Sequence, residues 1–284
     1  MVVEKMIRFG TAGVPIHCKE RSTLGGIQCV RDLGLSAMEC EFVRGVKMSS
    51  GSARQCNDLA RKLDVRLSSH GPYAISLISE NKEVAAASIQ RVIDTARVTD
   101  ALGGERVVFH SGYYGKKTKE ESYPLMKKAF EKILAQVEKE KLKVIIGPET
   151  TGAYTEWGSL EELCKLSHEF GINKVMPTLD WAHLHCREGK PAIKGKDDYQ
   201  RIFDYVEKTL GRKAVENFHS HATGVFFTEK GEKHHLPISS NSPPLKPLIE
   251  LLAENGYSGT IISESPNIED DALLMKKWFE ALKR

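Results

Sequence analysis

No apolar run in the 284-residue sequence approaches the roughly 20 residues that a membrane-spanning helix needs. The first residues, Met1-Val2-Val3-Glu4-Lys5-Met6, also lack the apolar core and small-residue site of a secretory leader. Together these absences lead to the expectation of a soluble, cytoplasmic protein. Six cysteines (Cys18, Cys29, Cys40, Cys56, Cys164 and Cys186) form no C-x-x-C pair, and a chain this long has no need of a disulfide framework. They read as reduced and mostly structural, with Cys186, close to His183 and His185, the exception to watch. No G-x-G-x-x-G follows the first apolar run, where Gly10-Thr11-Ala12-Gly13 is only a short turn, so neither a dinucleotide site nor a P-loop is expected. Charge is nearly balanced, 41 basic against 38 acidic residues for a net +3, which permits a nucleic-acid partner without arguing for one. Low-complexity tracts, linkers and long repeats are missing too.

Hydrophobic residues make up 40% of the chain and charged residues 28%, so a sizeable core is available. Short apolar runs alternate with longer amphipathic segments. The runs Ile7–Phe9, Ala37–Glu41, Val65–Ser69, Arg106–Phe109, Lys143–Pro148, Val175–Leu179, Val215–Ala222 and Gly259–Ser263 each read as a strand. Helices are expected near Leu24–Leu33, Ser52–Leu63, Glu80–Leu102, Lys119–Glu140, Leu160–Phe170, Lys196–Leu210, Leu245–Asn255 and Ile268–Leu282. Strict alternation implies parallel strands with right-handed crossovers, and eight units close into an α/β (β/α)8 TIM barrel without a free edge. The expected fold is that barrel as one domain over residues 1–284, with an open doubly wound sheet as the alternative. The two prolines of Ser239–Pro244 mark a loop.

In parallel α/β proteins the C-terminal strand ends converge, and groups that do chemistry collect there. The third strand ends at His70, the fourth at His110, the fifth at Glu149, the sixth at Asp180 and His183, the seventh at His219 and His221, and the eighth at Glu264. A loop beyond the seventh adds Glu232, His234 and His235. Taken alone, Asp180 and His183 could equally be a helix cap and a surface histidine. Taken together, such groups crowded at one mouth repel, or are left desolvated, unless they hold cations. Neutral imidazole and carboxylate suit zinc, and also manganese and iron. The residue types therefore point to a metal site with more ligands than one ion can use. His17, His168 and His185 lie off the pattern and read as surface or structural histidines.

This ordered set resembles endonuclease IV, the zinc-dependent apurinic/apyrimidinic endonucleases of the xylose-isomerase-like barrel superfamily, over nearly the whole chain. Its markers here are His70 in an H-x-x-Y turn with Tyr73, His110 in F-H-x-G, Glu149 before Thr150, and Asp180 and His183 in D-x-x-H. A histidine on the next strand, Glu232 and His234 in place of a D-x-H loop, and Glu264 in an I-L-E-T-like ending complete them. The resemblance implies about three Zn2+ ions, with Mn2+ or Fe2+ as substitutes. His70, His110 and Glu149 would hold the first, Glu149, Asp180, His219 and Glu264 the second, and His183, Glu232 and His234 the third. His219 is taken over His221 because its spacing to Glu232 matches the family without a gap. His221, two residues on and facing the same way, stays open. The implied activity is hydrolysis of duplex DNA on the 5′ side of abasic sites, with Glu149 and Glu264 catalytic and the baseless nucleotide swung out of the stack. DNA contacts would come from Tyr73, Arg44 and Lys233, joined by Lys116, Lys117, Lys119 and Lys230. Tyr113, Tyr114 and Trp181 adjoin the ligands and could pack on sugar or base, and a monomer is expected.

Three departures stand out: Glu232 replaces the usual Asp, Gly10-Thr11-Ala12-Gly13 replaces G-A-H, and Ala74 stands where a larger apolar residue wedges into the bases. One-metal sugar isomerases and epimerases of the same superfamily, the alternative function, would need only Glu149, Asp180, His219 and Glu264. The surplus His70, His110, His183, Glu232 and His234 separates the two. A non-catalytic barrel with structural metals is a third reading, but structural zinc sites are normally closed and cysteine-rich.

Overall fold

Short polar side chains start most of the helices. Ser22, Ser49 and Asn81 each accept a hydrogen bond from a free backbone N–H of the first turn, and Thr118 and Ser159 build reciprocal capping boxes with Glu121 and Glu162. The structure, a computed structural model, describes residues 6–283; the stretch Met1–Lys5, over which no leader is read, lies outside the described residues.

The elements run β1 (Ile7–Ala12), α1 (Thr23–Asp32), β2 (Ala37–Glu41), α2 (Ser50–Leu63), β3 (Arg66–His70), α3 (Lys82–Ala101), β4 (Arg106–Phe109), α4 (Lys119–Lys139), β5 (Ile145–Pro148) and α5 (Leu160–Phe170). Then come β6 (Thr178–Asp180), α6 (Trp181–Cys186), α7 (Lys196–Leu210), α8 (Arg212–Val215), β7 (Phe218–Ala222), β8 (Gly224–Thr228), β9 (Gly231–Leu236), a 3-10 turn (Ile238–Ser240), α9 (Leu245–Asn255), β10 (Gly259–Ser263) and α10 (Glu269–Leu282). Eight parallel strands stand in the order β5-β4-β3-β2-β1-β10-β7-β6, and parallel bridges Ile146–Val175 and Glu149–Thr178 join the two ends. The sheet therefore closes, and the chain is the expected TIM barrel rather than an open sheet.

Where the elements differ from expectation, the reasons are local. Pro177 has no N–H to give the ladder, so the expected strand Val175–Leu179 pairs only through single bridges before β6 begins at Thr178. Val215 closes α8, and β7 starts three residues later at Phe218. The segment after β7, expected as a loop, is an antiparallel hairpin, β8 with β9. Among the described residues no helix is long and apolar enough to cross a membrane.

The core lies between barrel and helices. Trp181 packs edge-on against Tyr199 and tilted on Phe203, and Phe203 stacks on Tyr257 with ring centroids 4.5 Å apart. Each such fully buried side chain contributes roughly 1.5–3 kcal/mol through the area it removes from water. Trp181 is thus a core residue, as is Tyr114, whose hydroxyl donates to Glu162 at 2.6 Å; neither is free to pack on a substrate.

Candidate metal centre

Strand register sorts the candidate ligands by depth. Thr178, His219 and Thr260 pair on one rung, while Asp180, His221 and Ile262 pair two rungs further toward the C-terminal mouth. His219, two residues earlier, lies roughly 6.6 Å deeper along the strand. The histidine level with Asp180 is therefore His221, which corrects the choice of His219.

Glu149, at the end of β5, is the hub. Its Oε2 is 3.1 Å from His70 Nε2 and 3.2 Å from His110 Nε2, and its Oε1 is 3.1 Å from His221 Nδ1 and 3.2 Å from His183 Nδ1. His221 Nδ1 also lies 3.2 Å from Glu264 Oε1 and 4.0 Å from Asp180 Oδ2. His70, His110 and Glu149 form one compact donor group, and Glu149, Asp180, His221 and Glu264 a second, the donor atoms within each lying within 4.8 Å of one another.

The third group is carried by α6 and the hairpin. Glu232 is 2.7 Å from His183 Nε2 through Oε2 and 3.0 Å from His235 Nε2 through Oε1. Opposite β8, Phe227 pairs with Glu232 but Phe226 pairs with His234, so Lys233 is an extra residue in β9. An inserted residue moves the following side chains to the other face of the strand. His234 is exposed, its ring 5.2 Å from Phe226, and His235 turns inward. The group is thus His183, Glu232 and His235, a correction to the expected His234. Two glycines let the hairpin dock: a Cβ on Gly152 would meet Glu232 Oε2 at 2.7 Å, and one on Gly231 would meet the Gly152 carbonyl at 2.3 Å. The Glu232 N–H donates to that same carbonyl at 3.1 Å.

The two carboxylate oxygens of Asp180 differ in what they meet. Oδ1 caps α6, accepting from the His183 N–H at 2.6 Å, whereas Oδ2 is buried with no hydrogen-bond partner. An orphaned carboxylate oxygen facing other donors is what a cation site presents, and the donor set fits a divalent metal. Three of the imidazoles also have a ring nitrogen against a backbone carbonyl: His70 Nδ1 on Gly71 at 2.8 Å, His183 Nδ1, which faces Glu149 as well, on Thr150 at 2.8 Å, and His235 Nδ1 on Glu264 at 3.1 Å. Such partners orient metal-binding imidazoles.

The electrostatics express the crowding. Burial, with the charges of Glu149 and Glu264, pushes Asp180 up to about 6, and burial beside Glu39 and Glu264 pushes Glu41 up to about 8. For His70 burial works downward, but the Glu149 hydrogen bond and the neighbouring carboxylates outweigh it and raise the imidazole to about 10. Glu149 moves the other way: its burial penalty is overcome by His110 and His221, which hold it well below the usual range.

Glu39 and Glu41, which the strand-end pattern does not single out, face the same interior. Their signal was present in Ala37-Met38-Glu39-Cys40-Glu41, since alternate residues of a barrel strand point one way. Of the expected DNA-contacting residues, Tyr73 is exposed, its ring 6.4 Å from His70, and Arg44 and Lys233 are exposed on loop and hairpin. Cys186 is buried, 3.5 Å from the Gly152 carbonyl, and burial raises its thiol to about 12. His185 is buried and accepts from the Ile193 N–H, a structural histidine.

A family model described as xylose isomerase-like TIM barrel matches residues 27–284. An uncharacterized protein of Methanocaldococcus jannaschii is 36% identical over 279 residues, 98% of this chain and 99% of its own. A probable endonuclease 4 of Aquifex aeolicus is 22% identical over 166 residues, 58% of each chain. Among solved structures, endonuclease IV from Thermus thermophilus superposes with a TM-score of 0.73 at 19% identity, covering 97% of this chain and 98% of that one. A D-tagatose 3-epimerase-like protein superposes at 0.69 and 18%, covering 97% and 96%, so the two structures share this barrel.

Proposed function

From the premise that the chain belongs to the xylose isomerase-like TIM-barrel family, we propose that it is a multinuclear metal-dependent phosphodiesterase that cuts duplex DNA on the 5′ side of abasic sites. The observation that carries this reading is the group His183, Glu232 and His235 standing beside two donor groups that already share Glu149. Closely spaced divalent ions lower the pKa of a water and stabilise the attacking and leaving oxygens of an in-line displacement at phosphorus. His70, His110 and Glu149 would hold one ion, Glu149, Asp180, His221 and Glu264 a second, and His183, Glu232 and His235 a third. Zinc suits this nitrogen and oxygen set, with Mn2+ or Fe2+ as substitutes. Glu149 and Glu264 would be the catalytic carboxylates.

Tyr73, exposed beside His70, would lie against the sugar at the gap, and Arg44 and Lys233 would meet phosphates on either flank. The protein would work in base excision repair as a cytoplasmic monomer, one domain over residues 1–284. A baseless nucleotide costs less to swing out because no pairing is lost, which favours the damaged site.

One observation favours a second reading: Glu149, Asp180, His221 and Glu264 alone make a complete one-metal set, which is all a sugar isomerase or epimerase would need. That reading leaves His183, Glu232 and His235 without a task. The deciding experiment incubates the zinc-loaded protein with a duplex bearing one stable abasic analogue. A single nick 5′ to the lesion leaving a 3′-hydroxyl, abolished by chelator and restored by zinc, is expected. An intact duplex alongside turnover of a free ketose would overturn the proposal.

A further inference from the structure

Four of the five imidazoles gathered around Glu149 and Glu232 have their second nitrogen held, and His221 is held differently from the rest. His70 and His235 lean on neutral backbone carbonyls, and His183 Nδ1 on the Thr150 carbonyl with Glu149 Oε1 3.2 Å away inside the cluster. His221 Nε2 instead donates to a carboxylate, Glu39 Oε1, at 2.8 Å, while its Nδ1 faces Glu149 and Glu264. Glu39 is itself immobilised: Oε2 accepts from His219 Nε2 at 2.8 Å and from the Ser68 hydroxyl at 2.6 Å. Glu39 and His221 are 0% exposed, and His219 and Ser68 4% exposed, so water does not compete for these bonds. The link also spans the barrel interior, because β2 and β7 are separated in the sheet by β1 and β10.

We infer that Glu39 is a positioning residue that presents His221 to the central group through Nδ1, with His219 and Ser68 bracing the carboxylate from below. The His219-Ser220-His221 repeat on β7 is then a brace followed by a ligand. A carboxylate partner fixes the tautomer, aims the ring and makes the imidazole a stronger donor, and losing such a partner typically lowers metal affinity 10–100-fold. The expected consequence is that the ion between Glu149, Asp180, His221 and Glu264 is the last of the set to leave in a chelator titration.

This inference rests on the reading of the mouth as a metal centre, and the test keeps the two apart. Zinc affinities of wild type and Glu39→Gln are measured by chelator competition with elemental analysis. If wild-type protein retains no zinc, the metal reading itself fails. If wild type binds zinc, the inference expects Glu39→Gln to weaken one site about 10–100-fold and leave the others unchanged. A folded Glu39→Gln protein with wild-type affinities at every site overturns it. A second measurement needs no variant: nitrogen-15 histidine spectra of zinc-loaded wild type should show His221 with its proton on Nε2 and the metal at Nδ1. The reverse assignment overturns the inference even if Glu39→Gln fails to fold.

Discussion

The central donor group and the hairpin-borne one use the same chemistry on different supports. Glu149, Asp180, His221 and Glu264 sit at or just past the ends of parallel barrel strands, and the first three are wholly buried. Glu232 and His235 sit on a two-stranded ribbon outside the barrel, partly exposed, held to it by contacts to loops and α6 rather than by a strand ladder: the Glu232 N–H to the Gly152 carbonyl, Glu232 to His183, His235 to the Glu264 carbonyl, and Val225 packed on Ala182 and Cys186. Strand-end ligands are held by a hydrogen-bond ladder on both sides, whereas a hairpin alone is marginally stable and gains its order from docking. The central group should therefore be the tight, preorganised part of the site, and the hairpin the part that varies and that separates a three-metal hydrolase from a one-metal isomerase.

The largest expected effect strikes where the two regions meet. Glu149→Gln weakens the shared ligand and should lower abasic-site cleavage by at least the roughly 10²–10³-fold lost with one electrostatic contact to a transition state; retained cleavage would break the shared-centre picture. Next, His235→Ala should cost about one equivalent of zinc and most of the cleavage, while His234→Ala should keep full metal content. Equal behaviour of these two variants by elemental analysis would show that the bulge at Lys233 does not set which histidine faces inward.

The smallest effect is in the pH dependence of metal-stripped protein. His70 rises in the folded state from 6.5 to about 10, Asp180 from 3.8 to about 6 and Glu41 from 4.5 to about 8. In each case the folded form binds its proton more tightly, so stability is fullest below the unfolded value and is lost as pH rises through the folded one. Chelator-treated protein should thus lose melting temperature steadily from about pH 5 to pH 10, while zinc, which needs deprotonated ligands, should stabilise more as pH rises. Thermal melts with and without zinc should diverge with pH, and parallel curves would count against a metal centre built on these groups.

The same contrast explains what could be read from sequence. The barrel, and the gathering of His70, His110, Glu149, Asp180, His183 and Glu264 at its mouth, were legible because strand ends converge wherever βα units alternate. The two histidine choices were not. His219 and His221 share a face, and only pairing with Thr178 and Asp180 reveals which lies at the mouth. For His234 and His235 the spacing suggested the first, and a one-residue bulge, invisible without the partner strand, turned the second inward. Glu39 and Glu41 alternate on β2, but Glu39 lies inside the strand rather than past its end, so the strand-end pattern alone does not mark it.

The most direct test of the account is anomalous diffraction at the zinc edge from crystals grown with excess zinc. Three peaks are predicted: one among His70, His110 and Glu149, one among Glu149, Asp180, His221 and Glu264, and one among His183, Glu232 and His235. A single peak in the central group, with the hairpin group empty, would contradict the account and favour a one-metal sugar enzyme.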